Sequence, residues 1–387
     1  MLDYITSLPR RPLIVLGLAT LLLVVDDAIP DNAYFDADAL AVILSVVVVL
    51  AAIAITTGVS LTWRGATHVA ARAMSALLVS GVATGASLVA AEYATRWVFR
   101  DITTTSDDRG YFSNRWLSAA VTINSLGFRE REFNAKPPGR YRIAVVGDSF
   151  TFGNGISADQ RFSAHLQRAL PSRAEVLNFG TAGANTPEHV GLIHDRLPTL
   201  TPDYVLVQWF VNDVEHTANS RPPVAHIVPS PAAHEWLLTS SASYTLLNTW
   251  WTRRQVLGQT ATSYAGYMHA RHADPQGEPA RLEREAMRAL VTVTGAIHAR
   301  LGLVLFPDTS YDLGGDYPFE FLHRRVLDFC NEQKLTCLDL RPAFAGVKRR
   351  QSLWANPLDS HPSASANAIA AVKILETFEP EWAAAWR

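Results

Sequence analysis

Residues 141–150 read YRIAVVGDSF, an apolar run that stops at a glycine and continues into an aspartate and a serine. A short run rich in Val and Ile that ends at Gly147 predicts a buried β-strand. Ser149 then stands at the strand's end, where a helix N-terminus stabilises negative charge. On its own the tripeptide is weak evidence, because a serine in this place is more often only a helix N-cap.

Strands and helices alternate on the C-terminal side of this stretch. Short apolar runs predict further strands at 175–178, 204–209, 301–306 and 336–340. Amphipathic segments predict helices at 162–170, 187–197, 281–300, 319–333 and 364–378. This alternation indicates βαβ units and an α/β fold, with a five-stranded parallel sheet covered on both faces. We expect an active site at the carboxyl ends of these strands.

Two stretches depart from the alternation. Residues 215–279 are rich in Trp, Tyr, Ser and His and have no clean period. They predict a partly helical insertion after the third strand, which covers or shapes the substrate cleft. Residues 101–140, before the first strand, are expected to be irregular.

Polar blocks follow the predicted strands. The second strand leads into NFGTAGANT at 178–186, the third into Asn212 and Asp213, and DSHP at 359–362 precedes the last helix. Together with GDS at 147–149, these blocks resemble, in order and position, those of the SGNH hydrolase superfamily, also called GDSL esterases/lipases. The resemblance covers about residues 120–380 and implies a flavodoxin-like three-layer α/β/α domain. NSLGFR at 124–129 is similar to a stretch of membrane-linked bacterial members associated with cell-surface polysaccharide.

The resemblance implies a role for each block and no cofactor. Ser149 would be the nucleophile, His361 the general base that takes its proton, and Asp359 the acid that orients the base. The oxyanion hole would consist of the backbone N–H groups of Ser149 and Gly183 and the side-chain amide of Asn212. In such a site each donor contributes about 3 kcal/mol to the transition state.

Two positions depart from the family's pattern. The usual acid lies three residues before the histidine, where this chain has Leu358, whereas Asp359 lies two before His361. We expect a shifted local turn that still lets the carboxylate or a backbone carbonyl hold His361. Phe210 stands where a glycine is usual, two residues before Asn212. Its larger side chain in the pocket wall predicts a narrower pocket.

The remaining polar residues that stand out in the sequence are not expected to carry chemistry of their own. Asp148 is expected to hold the serine turn by local hydrogen bonds, and Asp213 to support the site beside Asn212. His269 and His272 have no carboxylate or Cys partner at fixed spacing, so they indicate a solvated helix face, not a metal site. A net charge of −2 with no basic stripe argues against nucleic acid as a partner.

The first hundred residues have the composition of a membrane anchor. Charged residues make up only 18% of the chain, against roughly 25% in soluble proteins, and most of the deficit lies here. Apolar runs at 12–25, 39–57 and 73–91 predict three transmembrane helices, although the first is short of the roughly twenty residues required. That run is therefore either a span or a signal sequence. The expected division is an anchor at 1–97 and a catalytic domain at 98–387.

The basic residues near these runs predict their orientation. Arginines precede the first run at 10–11 and lie between the second and third at 64 and 72, whereas the loop at 26–38 carries aspartates without Lys or Arg. Cytoplasmic loops carry the excess of basic residues. We therefore expect a multi-pass protein of the bacterial cytoplasmic membrane with its catalytic domain on the periplasmic or extracellular side. If the first run is a signal sequence and is cleaved, the catalytic domain is still expected on the periplasmic or extracellular side.

Two residue pairs leave alternatives open. Gly81 and Gly85 form a GxxxG pattern, which suits close packing within the chain, a homo-oligomer or a membrane-protein partner. Cys330 and Cys337, the two cysteines of the chain, permit one disulfide in an oxidising compartment, or two reduced buried thiols.

We expect a serine esterase that removes an acyl group, above all acetyl, from a glycan or lipid of the cell envelope. Hydrolysis and transfer share the same acyl-enzyme. An O-acyltransferase that modifies a surface polysaccharide, with its donor delivered by a partner protein, is thus a close alternative. A non-catalytic subunit that keeps the fold within a membrane complex is a third.

Overall fold

A computed structural model describes residues 68–105, 109–215, 226–256 and 263–384. The chain divides into two compact units, Met1–Asp101 and Ile102–Arg387. The first two predicted spans, at 12–25 and 39–57, lie outside the described residues. The described part of the first unit is helix α1, His68–Val98, which contains the third apolar run together with Gly81 and Gly85.

The prediction of a third transmembrane helix is not confirmed. In the part of the chain that the structure describes, no helix is both long enough and apolar enough to cross a membrane. The packing role of Gly81 and Gly85 stays a prediction.

The second unit is built on a five-stranded parallel sheet, which confirms the α/β prediction. In chain order the strands are β1 Tyr141–Gly147, β2 Ala174–Gly180, β3 Tyr204–Trp209, β4 Arg300–Leu305 and β5 Thr336–Asp339. Their spatial order is β2-β1-β3-β4-β5. Every residue of β1 and β3 is buried, since these central strands are covered on both faces.

Helices cover both faces of the sheet, as right-handed crossovers between parallel strands require. The helices α4 Phe162–Ala169 and α12 Ala364–Ala384 pack together on one face. The other face carries α5 Thr186–Arg196, α9 Glu278–Ala296 and α10 Glu320–Gln333. Shorter elements lie between them, namely α3 Ser149–Phe152, α11 Arg341–Ala345 and 3₁₀ turns at Ala158–Gln160, Pro198–Leu200, Val211–Val214 and Arg350–Leu353.

The described part of the predicted insertion is largely helical. It contains α6 Pro231–Ser240, α7 Ala242–Val256 and α8 Tyr264–His272. The expectation of an irregular segment at 101–140 is wrong for α2, Tyr111–Ala120. This helix forms because Phe112 and Trp116, four residues apart and hence on one face, are buried where α2 packs against α6 and α7.

A small antiparallel hairpin precedes α12, and the sequence did not indicate it. Its strands are β6 Trp354–Asn356 and β7 Asp359–Pro362. Asn356 Oδ1 accepts a hydrogen bond from the Leu358 N–H and closes the connecting turn. Elsewhere in this unit, Cys330 of α10 and Cys337 of β5 form a disulfide.

Gly180, the last residue of β2, provides a test of this packing. It pairs with Gly147 at the end of β1, and a Cβ at Gly180 would overlap the backbone of Phe152 in α3. Gly180→Ala should therefore destabilise the second unit by about 1–3 kcal/mol, the typical range for overpacking. Urea denaturation followed by tryptophan fluorescence measures the change.

Gly191→Ala is the matched control. Gly191 lies within α5, and no atom of the described residues comes within 4 Å of a Cβ built there. Alanine in the interior of a helix should raise stability by about 0.5–1 kcal/mol. Equal denaturation midpoints for the two variants would contradict the close approach of α3 to β2.

Candidate active site

The turn from β1 into α3 holds Ser149 at the first position of a helix. Asp148 caps this helix, because its Oδ1 accepts a 2.8 Å hydrogen bond from the Phe150 N–H. From β3, Gln208 Oε1 accepts hydrogen bonds from the Asp148 N–H (3.1 Å) and from Thr151 Oγ1 (2.9 Å). The local role expected for Asp148 is therefore present, and Gln208 is a support that the sequence did not indicate.

A continuous hydrogen-bonded chain links the serine to two residues of β7. His361 Nε2 lies 2.8 Å from Ser149 Oγ, and His361 Nδ1 lies 2.5 Å from Asp359 Oδ1. Side chains two apart in a strand project from the same face. The spacing of two residues thus works here because Asp359 and His361 belong to a strand, and Leu358, at the family's usual acid position, lies just before it.

Asp359 is fully buried and held in its ionised form. Thr104 Oγ1 donates a short hydrogen bond to Asp359 Oδ2, and the His361 N–H donates one of 3.1 Å to Oδ1. Burial alone would raise the pKa of Asp359, but the charge of His361 and the hydrogen bonds from His361 and Thr104 lower it below its usual value. Since an ionised carboxylate can only accept, Nδ1 carries the imidazole proton and Nε2 is left to accept the Ser149 hydroxyl.

Three hydrogen-bond donors occupy the ends of β1, β2 and β3. The Ser149 N–H opens α3, Gly183 lies in the turn after β2, and Asn212 lies in the 3₁₀ turn after β3. Gly183 has φ +79°, a left-handed conformation that favours glycine. Asn212 Oδ1 is buried and has no hydrogen-bond partner within the described ranges. That these three donors form an oxyanion hole stays a prediction.

A buried charged cluster lies beside these donors. Asp213 accepts hydrogen bonds from the Phe210 N–H (2.7 Å) and Thr186 Oγ1 (3.2 Å), and its Oδ1 lies 3.1 Å from His189 Nε2. Burial, and then the charge of Asp213, raise the pKa of Asp148 to about 6. Burial would lower the pKa of His189, but the charge of Asp213 raises it above its usual value. Asp213 thus anchors the turn that presents its neighbour Asn212.

The NSLGFR stretch braces the segment that follows α3. The buried guanidinium of Arg129 donates hydrogen bonds to the carbonyl oxygens of Phe152 (3.2 Å), Gly153 (2.8 Å) and Ile156 (2.9 Å). Burial and the charge of Arg161 lower the pKa of Arg129 to about 10. The stretch therefore has a structural explanation in this chain, because it satisfies carbonyl groups behind the serine helix.

An aromatic wall flanks the serine and the histidine. The ring centroids of Phe150 and Phe210 are 4.4 Å apart, and those of Phe150 and His361 are 5.5 Å apart. Phe210 thus packs against Phe150, the neighbour of His361, and fills space that a glycine would leave open.

The histidines considered for a metal site have other contacts. The ring of His269 packs against Phe321 at 5.6 Å, and His272 is buried, so the expectation of a solvated helix face is wrong for His272. Within the described ranges, no group of three or more His, Cys, Asp or Glu side chains could hold a metal ion.

The model of the GDSL-like Lipase/Acylhydrolase family matches residues 145–369. No curated protein matches this chain.

Several solved structures are similar to it. TesA has a TM-score of 0.38 and 14% identity, over 62% of this chain and 98% of that one. A putative lipolytic protein of the G-D-S-L family from Desulfitobacterium hafniense has a TM-score of 0.37 and 13% identity, over 64% of this chain and 100% of that one. A catalytic mutant of Axe2, an acetylxylan esterase from Geobacillus stearothermophilus, has a TM-score of 0.37 and 16% identity, over 64% of this chain and 98% of that one.

Proposed function

Since this chain belongs to the GDSL-like lipase/acylhydrolase family, we propose that it is a serine esterase with Ser149 as its nucleophile. The observation that carries the proposal is the hydrogen-bonded chain from Ser149 Oγ through His361 to Asp359. A serine hydroxyl is a poor nucleophile unless a base takes its proton as it attacks, and here the base is within hydrogen-bond distance.

The reaction proceeds through an acyl-enzyme. Ser149 Oγ attacks the ester carbonyl carbon while its proton passes to His361 Nε2, and the ionised Asp359 stabilises the resulting imidazolium. The backbone N–H groups of Ser149 and Gly183 and the Asn212 amide stabilise the oxyanion. Collapse of the tetrahedral intermediate breaks the C–O bond, and the alcohol leaves with the proton from Nε2. Water then attacks the acyl-enzyme, and His361 is again the base.

We propose small acyl esters of a hydroxyl-rich alcohol, acetyl esters of a glycan in particular. The ring of Phe150 packs against His361 and is backed by the ring of Phe210, which limits the space beside His361 and favours a small acyl group. A cavity of about 340 Å³ runs along α5 and is lined by Gly183 but not by Ser149, His361 or Asn212, and it has polar side chains in its wall, among them Thr181, Glu188 and Arg196. Polar lining of this kind suits the hydroxyl groups of a sugar better than an acyl chain.

We also propose that the second unit lies outside the cytoplasm. The disulfide between Cys330 and Cys337 supports this location, because disulfides persist in oxidising compartments and are rare in the bacterial cytosol.

The esterase proposal is tested with 4-nitrophenyl acetate and the full-length chain. Ser149→Ala should lower kcat at least about 10³-fold, because removal of the nucleophile leaves only binding and oxyanion stabilisation. Ser118→Ala, the same substitution at an exposed serine of α2, should leave kcat within twofold of the wild type. Equal rates for the wild type and Ser149→Ala would contradict the proposal.

The location is tested by thiol alkylation of denatured full-length protein taken from its native cells. Mass spectrometry should find no alkyl group before reduction and two after it, since both cysteines are in the disulfide. Cys337→Ser, which leaves one thiol, should carry one alkyl group without reduction and so shows that the reagent reacts. Two alkyl groups on unreduced wild type would contradict an oxidising location.

A further inference from the structure

Arg253 of helix α7 lies against the hairpin that carries Asp359 and His361. Its Nη1 donates a 2.9 Å hydrogen bond to the carbonyl oxygen of Pro357, in the turn between β6 and β7. Its guanidinium carbon lies 5.1 Å from the centre of the Trp354 ring in β6. The insertion thus places the positive charge of Arg253 against the β6–β7 hairpin, which carries Asp359 and His361.

The other edge of this guanidinium has no partner in the described part of the chain. Neither Nε nor Nη2 of Arg253 donates a hydrogen bond to a described residue, and no described carboxylate forms an ion pair with it. The residue is half-buried, and burial lowers its pKa although the charges of Asp359 and Asp308 oppose that effect. Because these two carboxylates do not fully offset the cost of burial, an anion bound at the free edge would stabilise the guanidinium further.

The guanidinium lies beside the hairpin that carries Asp359 and His361. Pro357, whose carbonyl oxygen it binds, is two residues before Asp359, and Trp354 Nε1 donates a 3.2 Å hydrogen bond to the carbonyl oxygen of Thr309, the residue after Asp308. Asp308 follows β4 and accepts a 2.9 Å hydrogen bond from the Ser310 N–H. It does not pair with Arg253 and leaves the edge available.

We propose that Arg253 binds a carboxylate on the alcohol part of the substrate, next to the ester, so that the enzyme acts on acyl esters of an acidic glycan. This inference rests on the proposed esterase function and specifies its substrate class. The Nε and Nη2 donors of arginine are coplanar and match the two oxygens of a carboxylate, which gives directional binding that a lysine would not reproduce. Arg253 is then a specificity-determining residue.

Arg253 also braces the hairpin through Pro357 and Trp354, so the rate on a neutral ester does not isolate its binding role. The informative quantity is the ratio of kcat/KM for a charged polymer to kcat/KM for its neutral form. Loss of the brace would lower both values, whereas loss of anion binding would lower only the first.

The experiment uses the full-length chain and two forms of one polymer. These are chemically O-acetylated polygalacturonate and the same material after methyl esterification of its carboxylates, and released acetate is measured. The wild type should prefer the charged form about tenfold, equivalent to one charge-assisted hydrogen-bonded pair. Arg253→Gln should bring the ratio close to one, Arg253→Lys should retain only part of it, and added salt should reduce the wild-type ratio.

Arg254→Gln is the matched control. Arg254 is the next residue of α7, and its guanidinium stacks on the exposed ring of Trp250 at 5.0 Å, so this variant loses the same charge away from the hairpin. It should keep the wild-type ratio. A wild type that hydrolyses 4-nitrophenyl acetate without preferring the charged polymer would overturn the inference alone, as would an unchanged ratio in Arg253→Gln. A wild type inactive on 4-nitrophenyl acetate and on both polymers would overturn the proposed function as well.

Discussion

The site depends on the hydrogen bond between Ser149 Oγ and His361 Nε2, which joins residues 212 positions apart in the chain. This hydrogen bond requires that the serine and the histidine be positioned independently by two different parts of the chain. The β1–α3 turn fixes the serine at a helix N-terminus at the centre of the sheet. The β6–β7 hairpin, far along the chain, brings the histidine over it with the acid on the same strand face. An error of about 1 Å in either placement would lengthen the bond beyond normal hydrogen-bond geometry.

Buried polar groups around the site maintain these placements. Gln208 holds the serine turn from β3, Arg129 binds carbonyl groups behind α3, and Thr104 satisfies the second oxygen of Asp359. A buried polar group without a partner costs about 1–3 kcal/mol, so each of these contacts disfavours alternative arrangements. The residues come from three separate segments, so the completed fold, not a local motif, preorganises the serine and the histidine.

The sequence predicted the sheet well, because each strand is a short apolar run bounded by polar or glycine residues, and the interior strands β1 and β3 are buried throughout. The resemblance to the SGNH family pointed to Ser149, His361 and Asp359, which the structure brings within hydrogen-bond distance of one another, and their catalytic roles stay predictions. It did not indicate the hairpin or Thr104, whose positions depend on contacts between residues up to 255 positions apart. The helix α2 was missed because its few apolar residues are buried against α6 and α7, more than a hundred residues further along the chain. The third apolar run is helical as a sequence of that length predicts, yet hydrophobicity alone did not establish a membrane span.

The central claim is that Ser149 is an activated nucleophile. Treatment of the folded full-length chain with a fluorophosphonate, followed by peptide mass spectrometry, tests it most directly, because the reagent forms a covalent bond only with a serine whose proton is withdrawn by a base. We expect one adduct, on the peptide that contains Ser149, and its near-complete loss in Asp359→Asn, in which the imidazole is no longer held in the reactive tautomer. Absence of an adduct in folded protein, or an adduct at a different serine, would contradict it.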